Sequence, residues 1–366
     1  MKDLKFKHDE GDVLFFKTLR SRVNQYFKEN KIEKTANGFA IAKAIFLVTV
    51  YLLAFVAIFF SETITQLYFC YAVGGMLTIF VALNIAHDAA HGTFSKHKNV
   101  NDFLLYTFDF LGASGYMWRM KHVHSHHPHV NIPNMDGDIK QSNLVRIFPN
   151  SPYLSFHRYQ YLYMPILYLF YTLIWLMFRD FKDYLQTDIS GKPSIKHPKI
   201  EYVKLLLGKT VFVGRLIILP TLLLPFSFSQ ILLGFFIFHF CASYTVAMAL
   251  ISAHVGEHSV YPEPNQNGEM SQSWVRHQIV TTCDFATNNK VITNLFGGFN
   301  HHVVHHLFPN ICHIHYPPLT KILKKTCDEF GMPYYSNLTL LDAVKSHLKF
   351  LKIRSVQEEK VPYLEI

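Results

Sequence analysis

Several apolar runs in this chain are long enough to cross a lipid bilayer. Phe39–Phe60 is nearly uninterrupted, and Leu67–Ala86, Val211–Phe228 and Ile231–Ser252 are similar. A helix needs about 20 apolar residues to cross the bilayer core, and its backbone must satisfy its own hydrogen bonds there. The chain is 50% hydrophobic and only 17% charged, which is atypical of a soluble domain. These runs predict an all-α polytopic membrane protein.

Two further apolar runs are not predicted to cross. Phe103–Met117 is shorter than a bilayer crossing and contains Gly112 and Gly115. We therefore expect it to be re-entrant or interfacial. Tyr161–Phe178 has basic segments at both ends, so it is predicted to lie in the interface or to dip in and out.

The distribution of Lys and Arg predicts which loops are cytoplasmic. Residues 1–38 carry nine Lys or Arg, and segment 179–210 carries seven against four Asp or Glu. The loops Ser61–Gln66 and Ser227–Gln230 carry none. By the positive-inside rule the first pair is cytoplasmic and the second is outside. This predicts four transmembrane helices in two hairpins, with interfacial helices and a cytoplasmic cap that carries the histidine clusters.

The net charge and the cysteines narrow the class of protein. The net charge of +9 is explained by basic loops that face anionic lipid, and no nucleic-acid motif accompanies it, so no nucleic-acid partner is expected. The five cysteines are scattered without a CxxC pair. That pattern argues against a disulfide framework or a zinc finger and for a reducing compartment. The polar N-terminus predicts no signal peptide.

We divide the chain into a cytoplasmic N-terminal segment (1–38), a membrane domain (39–335) and a cytoplasmic tail (336–366). Near the N-terminus, apolar residues recur at helical spacing, at Val13, Phe16, Leu19, Val23 and Phe27. This amphipathic pattern fits a helix lying on the membrane surface or an ordinary packed helix, and the two interpretations carry equal weight.

Three histidine clusters lie beyond or between these runs. They read HDAAH at 87–91, HVHSHH at 122–127 and HHVVHH at 301–306. Imidazole is the commonest metal ligand, and His87 and His91 share one face of a helix. One HxxxH is weak evidence, since such motifs have false positives. Three clusters at ligand spacing indicate a metal centre assembled from distant parts of the chain.

A further histidine, His254, lies at the inner end of the last span, where an ionisable residue is a functional candidate by default. His258 is its competitor, and the spacing leaves open whether His301 or His302 binds and what His124 does. The candidate metal ligands are His87, His91, His122, His126, His127, His254, His302, His305 and His306. One zinc ion needs four ligands, or three in a catalytic site, so nine donors predict two metal ions.

The donor type narrows the metal. Imidazoles suit Fe, Zn, Cu or Ni, and the number of donors favours two redox-active irons that activate O2. Soluble di-iron proteins use carboxylates instead, which are few here. Polar residues near the clusters are expected to orient the imidazoles: Asn84, Asp88, Asp136, Asp138, Glu257, Asp284 and Asn300.

The three clusters resemble the histidine boxes of membrane fatty acid desaturases, whose pattern is HX(3–4)H, HX(2–3)HH and [HQ]X(2–3)HH. The resemblance covers about residues 35–335. Within the family, the chain is most similar to bacterial acyl-lipid or acyl-CoA desaturases related to the front-end, linoleoyl-CoA group. The resemblance implies that the nine histidines above hold two Fe ions (Fe2+/Fe3+), with O2 as co-substrate. It also implies a bacterial inner (plasma) membrane location with the active site on the cytoplasmic side.

Three departures from the family pattern matter. Front-end enzymes commonly begin the third box with Gln, where this chain has His302. Where the family can hold an Asn one turn before the position of His254, this chain has Leu250. Many front-end enzymes carry a fused cytochrome b5 domain, for which about 38 residues before the first span are too few. The expected electron donor is therefore a separate protein of the ferredoxin or cytochrome b5 type.

The predicted function is oxygen-dependent desaturation, which introduces a cis double bond into a lipid- or CoA-linked fatty acyl chain. Because the reacting methylenes carry no functional group, an apolar tunnel must place them. One alternative is a lipid hydroxylase or ketolase that uses the same di-iron site. A membrane zinc hydrolase would leave six histidines without a role. A metal transporter would place its ligands near mid-membrane, whereas these lie at one edge.

Overall fold

The computed structural model describes residues 4–139, 142–186 and 196–356. Those residues are mostly helical, and the paired strands among them are two residues each: β1 (Asp284–Phe285) and β2 (Ser336–Asn337), which are parallel. The predicted all-α class is confirmed by this architecture.

The N-terminal part forms three helices, α1 (Glu10–Asn30), α2 (Gly38–Ile58) and α3 (Ile64–Ala90). Side chains cap the two apolar helices where the sequence leaves a short polar link. The Asn37 side chain accepts a hydrogen bond from the backbone of α2, and Thr63 forms a reciprocal capping box at the start of α3. Such caps satisfy backbone N–H groups that a helix leaves free at its first turn. The predicted first hairpin therefore has well-defined ends.

Five helices within the described ranges are long and apolar enough to cross a membrane. They are α2, α3, α6 (Ser155–Leu185), α7 (Lys199–Leu223) and α8 (Phe228–His254). Four of them correspond to the predicted spans, and α6 covers the run that the sequence assigned to the interface. The chain is an integral membrane protein by this criterion.

The run Phe103–Met117 is not one helix. It is divided between α4 (Lys98–Phe110) and α5 (Gly115–Lys121). Gly112 sits between them with a φ of +91°, and a Cβ at this position would lie 2.9 Å from the ring of Phe212. Glycine is therefore required by both backbone conformation and space, and the turn breaks the run well short of a bilayer crossing.

Close packing of α3 against α8 positions the rest of the membrane part. A Cβ on Gly75 of α3 would lie 2.1 Å from the carbonyl oxygen of Phe238, and one on Gly234 of α8 would lie 2.5 Å from the ring of Tyr71. Glycine at such contacts lets two membrane helices approach closely. Both helices run in the same direction from this contact, so α3 reaches its histidine cluster beside the end of α8.

The helices beyond α8 form what we call the cap, residues 274–353. They are α9 (Trp274–Val280), α10 (Lys290–Leu295), α11 (His302–Leu307), α12 (Tyr316–Phe330) and α13 (Leu340–Ile353). Helix α1 packs its apolar face on the cap, where Leu19 and Val23 lie in one buried cluster with Val303, Leu307 and Leu323. This contact favours the packed amphipathic helix over the membrane-surface helix.

An ion pair with a buried carboxylate fixes the start of α1 to the cap. Asp12, 2% exposed, accepts hydrogen bonds from Arg276 at 2.6 Å and from the Ser273 hydroxyl at 2.6 Å. Burial by itself raises the pKa of the Asp12 carboxyl, but the hydrogen bonds from Arg276 and Ser273 outweigh burial and lower the pKa below its usual value. The ionised carboxylate therefore stabilises the contact.

Asp12→Asn is expected to weaken the docking of α1 by about 2 kcal/mol, because Arg276 loses its charged acceptor. Hydrogen exchange in residues 10–30 should accelerate at pH 7. Since the folded pKa is lowered, the stabilisation is present above the unfolded value of about 4 and is lost as the pH falls through the folded value. The difference between variant and wild type should therefore shrink in acid. Glu10→Gln, an exposed change in the same turn, is the control, and equal exchange of Asp12→Asn and wild type at pH 7 would contradict the assignment.

Candidate metal centre

The histidine clusters are carried by irregular helix ends. A π-helical turn, Ala82–Ala86, precedes His87 in α3, and a second, His122–His126, extends α5. A π turn inserts one extra residue into a helix and recurs at functional sites. The third cluster begins α11, and His254 is the last residue of α8. Four separate elements therefore deliver imidazoles to one place.

The imidazoles form two groups, each with one nitrogen per residue within 4.8 Å of the others. The first group joins the first two clusters to the third through His87, His91, His122 and His305. The second group takes in the end of α8 and comprises His126, His254, His302 and His306. All are buried except His91, which is half-buried. The spacing of the clusters predicted two metals, and the geometry provides two sets of four donors.

His127 lies between the two groups. Its ring centroid is 4.5 Å from that of His305 in the first group and 4.4 Å from that of His306 in the second. Its Nε2 atom is 3.2 Å from Nε2 of His122. All nine predicted residues are thus brought into one continuous cluster of rings.

The nitrogen atoms fit bound cations. Within the described residues, Nε2 of His87, His91, His305 and His306 are buried without a hydrogen-bond partner. In addition, Nε2 of His254 faces Nε2 of His302 at 2.7 Å. Buried polar atoms without partners are costly, and converging imidazole lone pairs are satisfied together by a metal ion. The donor set is that of a metal centre.

Hydrogen bonds to the opposite ring nitrogens fix the direction of these lone pairs. Nδ1 of His122 donates to Asp138 at 2.7 Å, and Nδ1 of His126 donates to Asp136 at 2.9 Å. In the third cluster, Nδ1 of His305 meets the Tyr316 hydroxyl at 3.0 Å, and Nδ1 of His306 donates to Gln278 at 3.2 Å. Such partners orient imidazoles toward a metal and hold their tautomer. Asp136 and Asp138 were expected from the sequence; Tyr316 and Gln278 were missed, because they lie far from the clusters along the chain.

Burial keeps most of the imidazoles neutral. It lowers the pKa well below the usual range, and neighbouring histidines lower it further, at His122, His127, His302, His305 and His306. Burial acts on His126 as well, but the Asp136 carboxylate outweighs it and raises the pKa of that ring. Neutral imidazoles offer their lone pairs to a metal without first losing a proton.

The structure distinguishes the remaining histidines. Nδ1 of His301 lies 2.9 Å from the Thr320 hydroxyl and Nε2 lies 3.3 Å from the Thr293 hydroxyl, so both of its nitrogens are engaged outside the two groups. His124 is exposed, and His258 is exposed with its ring stacked on Tyr335. Of the alternatives that the sequence left open, His302 and His254 are the residues that point into the cluster.

Other polar side chains hold the scaffold. Asp284 accepts a hydrogen bond from the backbone N–H of Val303 at 2.8 Å, which fixes the start of α11. Asn84 and Asn300 donate to backbone carbonyls, and Glu257 pairs with Lys349 at the surface. The expectation that Asp284, Glu257, Asn84 and Asn300 orient imidazoles was wrong, since their hydrogen bonds go elsewhere.

A buried polar chain lies behind the first cluster. Asp88 accepts hydrogen bonds from Nδ1 of His313 at 2.7 Å and from the Cys312 thiol at 2.9 Å. Nε2 of His313 lies 2.8 Å from Nζ of Lys43. The sequence predicted an orienting role for Asp88, and the structure adds His313 as its partner. His313 follows the third cluster by only a few residues, and this closeness in sequence was the available signal that it partners Asp88.

An apolar cavity adjoins the first group of imidazoles. His122, Trp118 and Phe299 line it, and its walls include Phe238 and Leu250 of α8. Phe238 and Leu250 are twelve positions apart, so the cavity extends about 18 Å along α8. A long apolar cavity that meets a metal centre suits an elongated apolar substrate.

The fold and the site define a membrane-embedded metalloenzyme with a polyimidazole centre and an apolar cavity. The profile of the fatty acid desaturase family matches residues 61–337, and the chain belongs to this family. It is an oxidoreductase, a fatty acid desaturase, and the resemblance read from the three histidine boxes is confirmed.

Curated relatives align over most of the chain. An sn-1 linoleoyl-lipid 6-desaturase of Synechocystis sp. is 33% identical over 355 residues, which cover 95% of this chain and 97% of the relative. A protein of the same name from Arthrospira platensis is 31% identical over 348 residues, with 94% of each chain covered. An acyl-lipid (8-3)-desaturase of Physcomitrium patens is 30% identical over 342 residues, with 92% of this chain and 71% of the relative covered.

Asp138→Ala is expected to lower metal affinity about 10- to 100-fold, because His122 loses the group that orients its ring. Competition with a chelator, followed by metal analysis of the purified protein, measures the change. Asp102→Ala is the control, since that carboxylate pairs with Arg119 and contacts no imidazole of the centre. Unchanged affinity in Asp138→Ala would show that this hydrogen bond does not position a ligand.

Proposed function

We propose that this protein is an oxygen-dependent acyl-lipid desaturase that introduces a cis double bond with a di-iron centre. The observation that carries the proposal is the meeting of an apolar cavity with two groups of four imidazoles. Relatives that cover most of this chain are named for action on lipid-linked acyl chains, which favours a lipid carrier over acyl-CoA. The electron donor is a separate protein of the ferredoxin or cytochrome b5 type.

The nine histidines would hold the two irons. His87, His91, His122 and His305 form one set, and His126, His254, His302 and His306 form the other, with His127 between them completing the coordination. Bound irons would supply the oxidising power by reducing O2. Imidazole ligation is compatible with iron, and nine donors exceed what one hydrolytic zinc ion requires.

The task of the protein is to place two adjacent methylenes beside the centre. Two aromatic side chains form the boundary between cavity and imidazoles. The ring centroids of Trp118 and His122 are 4.3 Å apart, and those of Phe299 and His302 are 4.2 Å apart. Both Trp118 and Phe299 line the cavity. Their apolar faces exclude water and restrict the acyl chain laterally. Fixing the reacting carbons in this way supplies most of the selectivity, since the chain offers no polar group to bind there.

Four helices, α2, α3, α7 and α8, are proposed to cross the membrane, while α6 dips in and returns. Both ends of α6 contact the segment between residues 121 and 143, which begins at the end of α5. His157 near its start meets the Asn143 carbonyl at 2.9 Å, and Asp183 near its end pairs with Lys121 at 2.5 Å. Between them, Thr172 contacts the middle of α8. Basic residues flank both ends, which supports the proposal that they face the cytoplasm and that the membrane is a bacterial inner membrane.

The division into residues 1–38, 39–335 and 336–366 is proposed to describe a cytoplasmic N-terminal segment, the membrane domain and a cytoplasmic tail. The described part of the tail contributes α13, whose Ala343 packs in one buried cluster with Ala249 and Ala253 of α8. The tail therefore supports the helix that ends in His254.

His126→Ala and His305→Ala, one from each imidazole group, are each expected to abolish product while the protein still inserts in the membrane. Each change removes a ring that the other elements cannot replace. Fatty acid profiles of a host expressing each variant measure the effect, and His124→Ala, an exposed ring, should retain most activity. Full activity of both variants would eliminate the di-iron assignment. A product that gains oxygen would identify a hydroxylase or ketolase, and one zinc ion without iron would identify a hydrolase.

Val246→Trp is expected to shift the enzyme toward shorter acyl chains or to lower its activity at least about tenfold, because the ring fills the cavity. Val246 lines the cavity about 12 Å from His254 along α8. Chain-length profiles of the products measure the shift. Leu233→Trp, on an exposed face of the same helix, is the matched control. An unchanged profile in Val246→Trp would show that the acyl chain lies elsewhere.

A further inference from the structure

A second cavity opens on the cap beside the start of α2, and we call it the lysine pocket. Its lining includes Lys43, Lys290, Lys321 and Lys324, together with Thr, Asn and His side chains, and no carboxylate is among the residues that line it. Lys290 and Lys321 are exposed. The pocket therefore presents concentrated positive charge at the surface of the cap.

The floor of the lysine pocket is connected to the centre by short polar contacts. His313 and Lys43 both line the pocket, and their Nε2 and Nζ atoms are 2.8 Å apart. Nδ1 of His313 donates to Asp88 at 2.7 Å, and the other oxygen of Asp88 lies 3.7 Å from Nδ1 of His87. One histidine and one aspartate thus separate the pocket from a member of the first imidazole group.

The proposed reaction requires electrons from outside the protein. Forming one double bond removes two hydrogens, with two electrons, from the acyl chain. Reducing one O2 to two waters takes four electrons and four protons. The remaining two electrons must come from a reductant, one at a time from two reduced one-electron carriers, and the remaining two protons from solvent.

We propose that the lysine pocket docks an acidic one-electron carrier protein and that its floor is the route by which electrons enter. This inference rests on the proposed function. Exposed lysines facing a carrier of opposite charge accelerate encounter and fix its orientation. The docked carrier then lies over His313, close to His87. None of the residues that line the lysine pocket lines the apolar cavity. The lysine pocket is therefore separate from the proposed binding site of the acyl chain.

A lipid phosphate is the competing occupant, because Phe39 at the rim marks the start of the first membrane helix. Two observations favour the carrier. The lysines come from three separate helices, α2, α10 and α12, and two of them, Lys290 and Lys321, are exposed on the cap. The polar contacts from the pocket floor, through His313 and Asp88, also lead to His87 of the metal centre rather than to the apolar cavity.

The test uses the full chain in detergent and an acidic [2Fe–2S] ferredoxin as the probe. The Lys290→Glu/Lys321→Glu double variant is compared with wild type, and Lys345→Glu, an exposed lysine of α13 outside the pocket, is the matched control. Binding of oxidised ferredoxin, followed by fluorescence anisotropy, should weaken more than about tenfold in the double variant at low salt. Its dependence on salt should become shallower, because fewer charges are paired. Lys345→Glu should bind like wild type.

A chemical reductant separates docking from catalysis. With dithionite in place of ferredoxin, the double variant should form as much unsaturated product in a single turnover as wild type. Unchanged ferredoxin binding in the double variant would overturn the proposal. Loss of the dithionite-driven product would overturn it as well and would assign the pocket to the lipid head group. If wild type itself forms no unsaturated product with dithionite, the proposed function fails, whereas ferredoxin binding still tests the pocket.

Discussion

The convergence of buried imidazole nitrogens is the constraint on which the rest of the structure depends. Four Nε2 atoms of the cluster lie buried without partners in the described structure, and two others face each other at 2.7 Å. Such an arrangement is costly unless cations fill the spaces between the rings. Two of those four rings are held at Nδ1, His305 by Tyr316 and His306 by Gln278, just as Asp138 and Asp136 hold His122 and His126, so these rings are not free to rotate toward other partners.

This constraint explains the architecture around the cluster. The glycine contacts between α3 and α8 hold the two helices together in parallel, and the ends of both helices carry imidazoles of the cluster, His87 and His254. The cap carries the third histidine cluster on α11 and holds it against these two helix ends. Asp284 anchors the start of α11, and α1 packs behind it. Membrane helices and cap are thus parts of one scaffold, and the apolar cavity follows from the space left between α3, α4, α6, α7 and α8.

Two ion pairs hold the helices around the second histidine cluster together. Lys121 and Asp183 form a buried pair, and Arg119 pairs with Asp102. Arg119 and Lys121 flank the second cluster, but their partners come from α4 and α6, and the pairing gives them a structural role. The lysine pocket, by contrast, brings together exposed lysines from segments that are distant in sequence.

The sequence by itself determined the class of protein, the approximate helices and the histidines that meet in one cluster, because these depend on local properties. Length and apolarity define a membrane helix, and residue type with spacing defines a ligand cluster. The tertiary structure decided what depends on contacts between distant segments. In the tertiary structure, His302 rather than His301 points into the cluster. Tyr316 and Gln278 are hydrogen-bond partners of the imidazoles, and α1 packs on the cap. The tertiary structure also joined Lys43 and His313 to Asp88. The physical reason is that hydrogen-bond partners and close packing are set by proximity in space, which the order of residues in one chain does not encode locally.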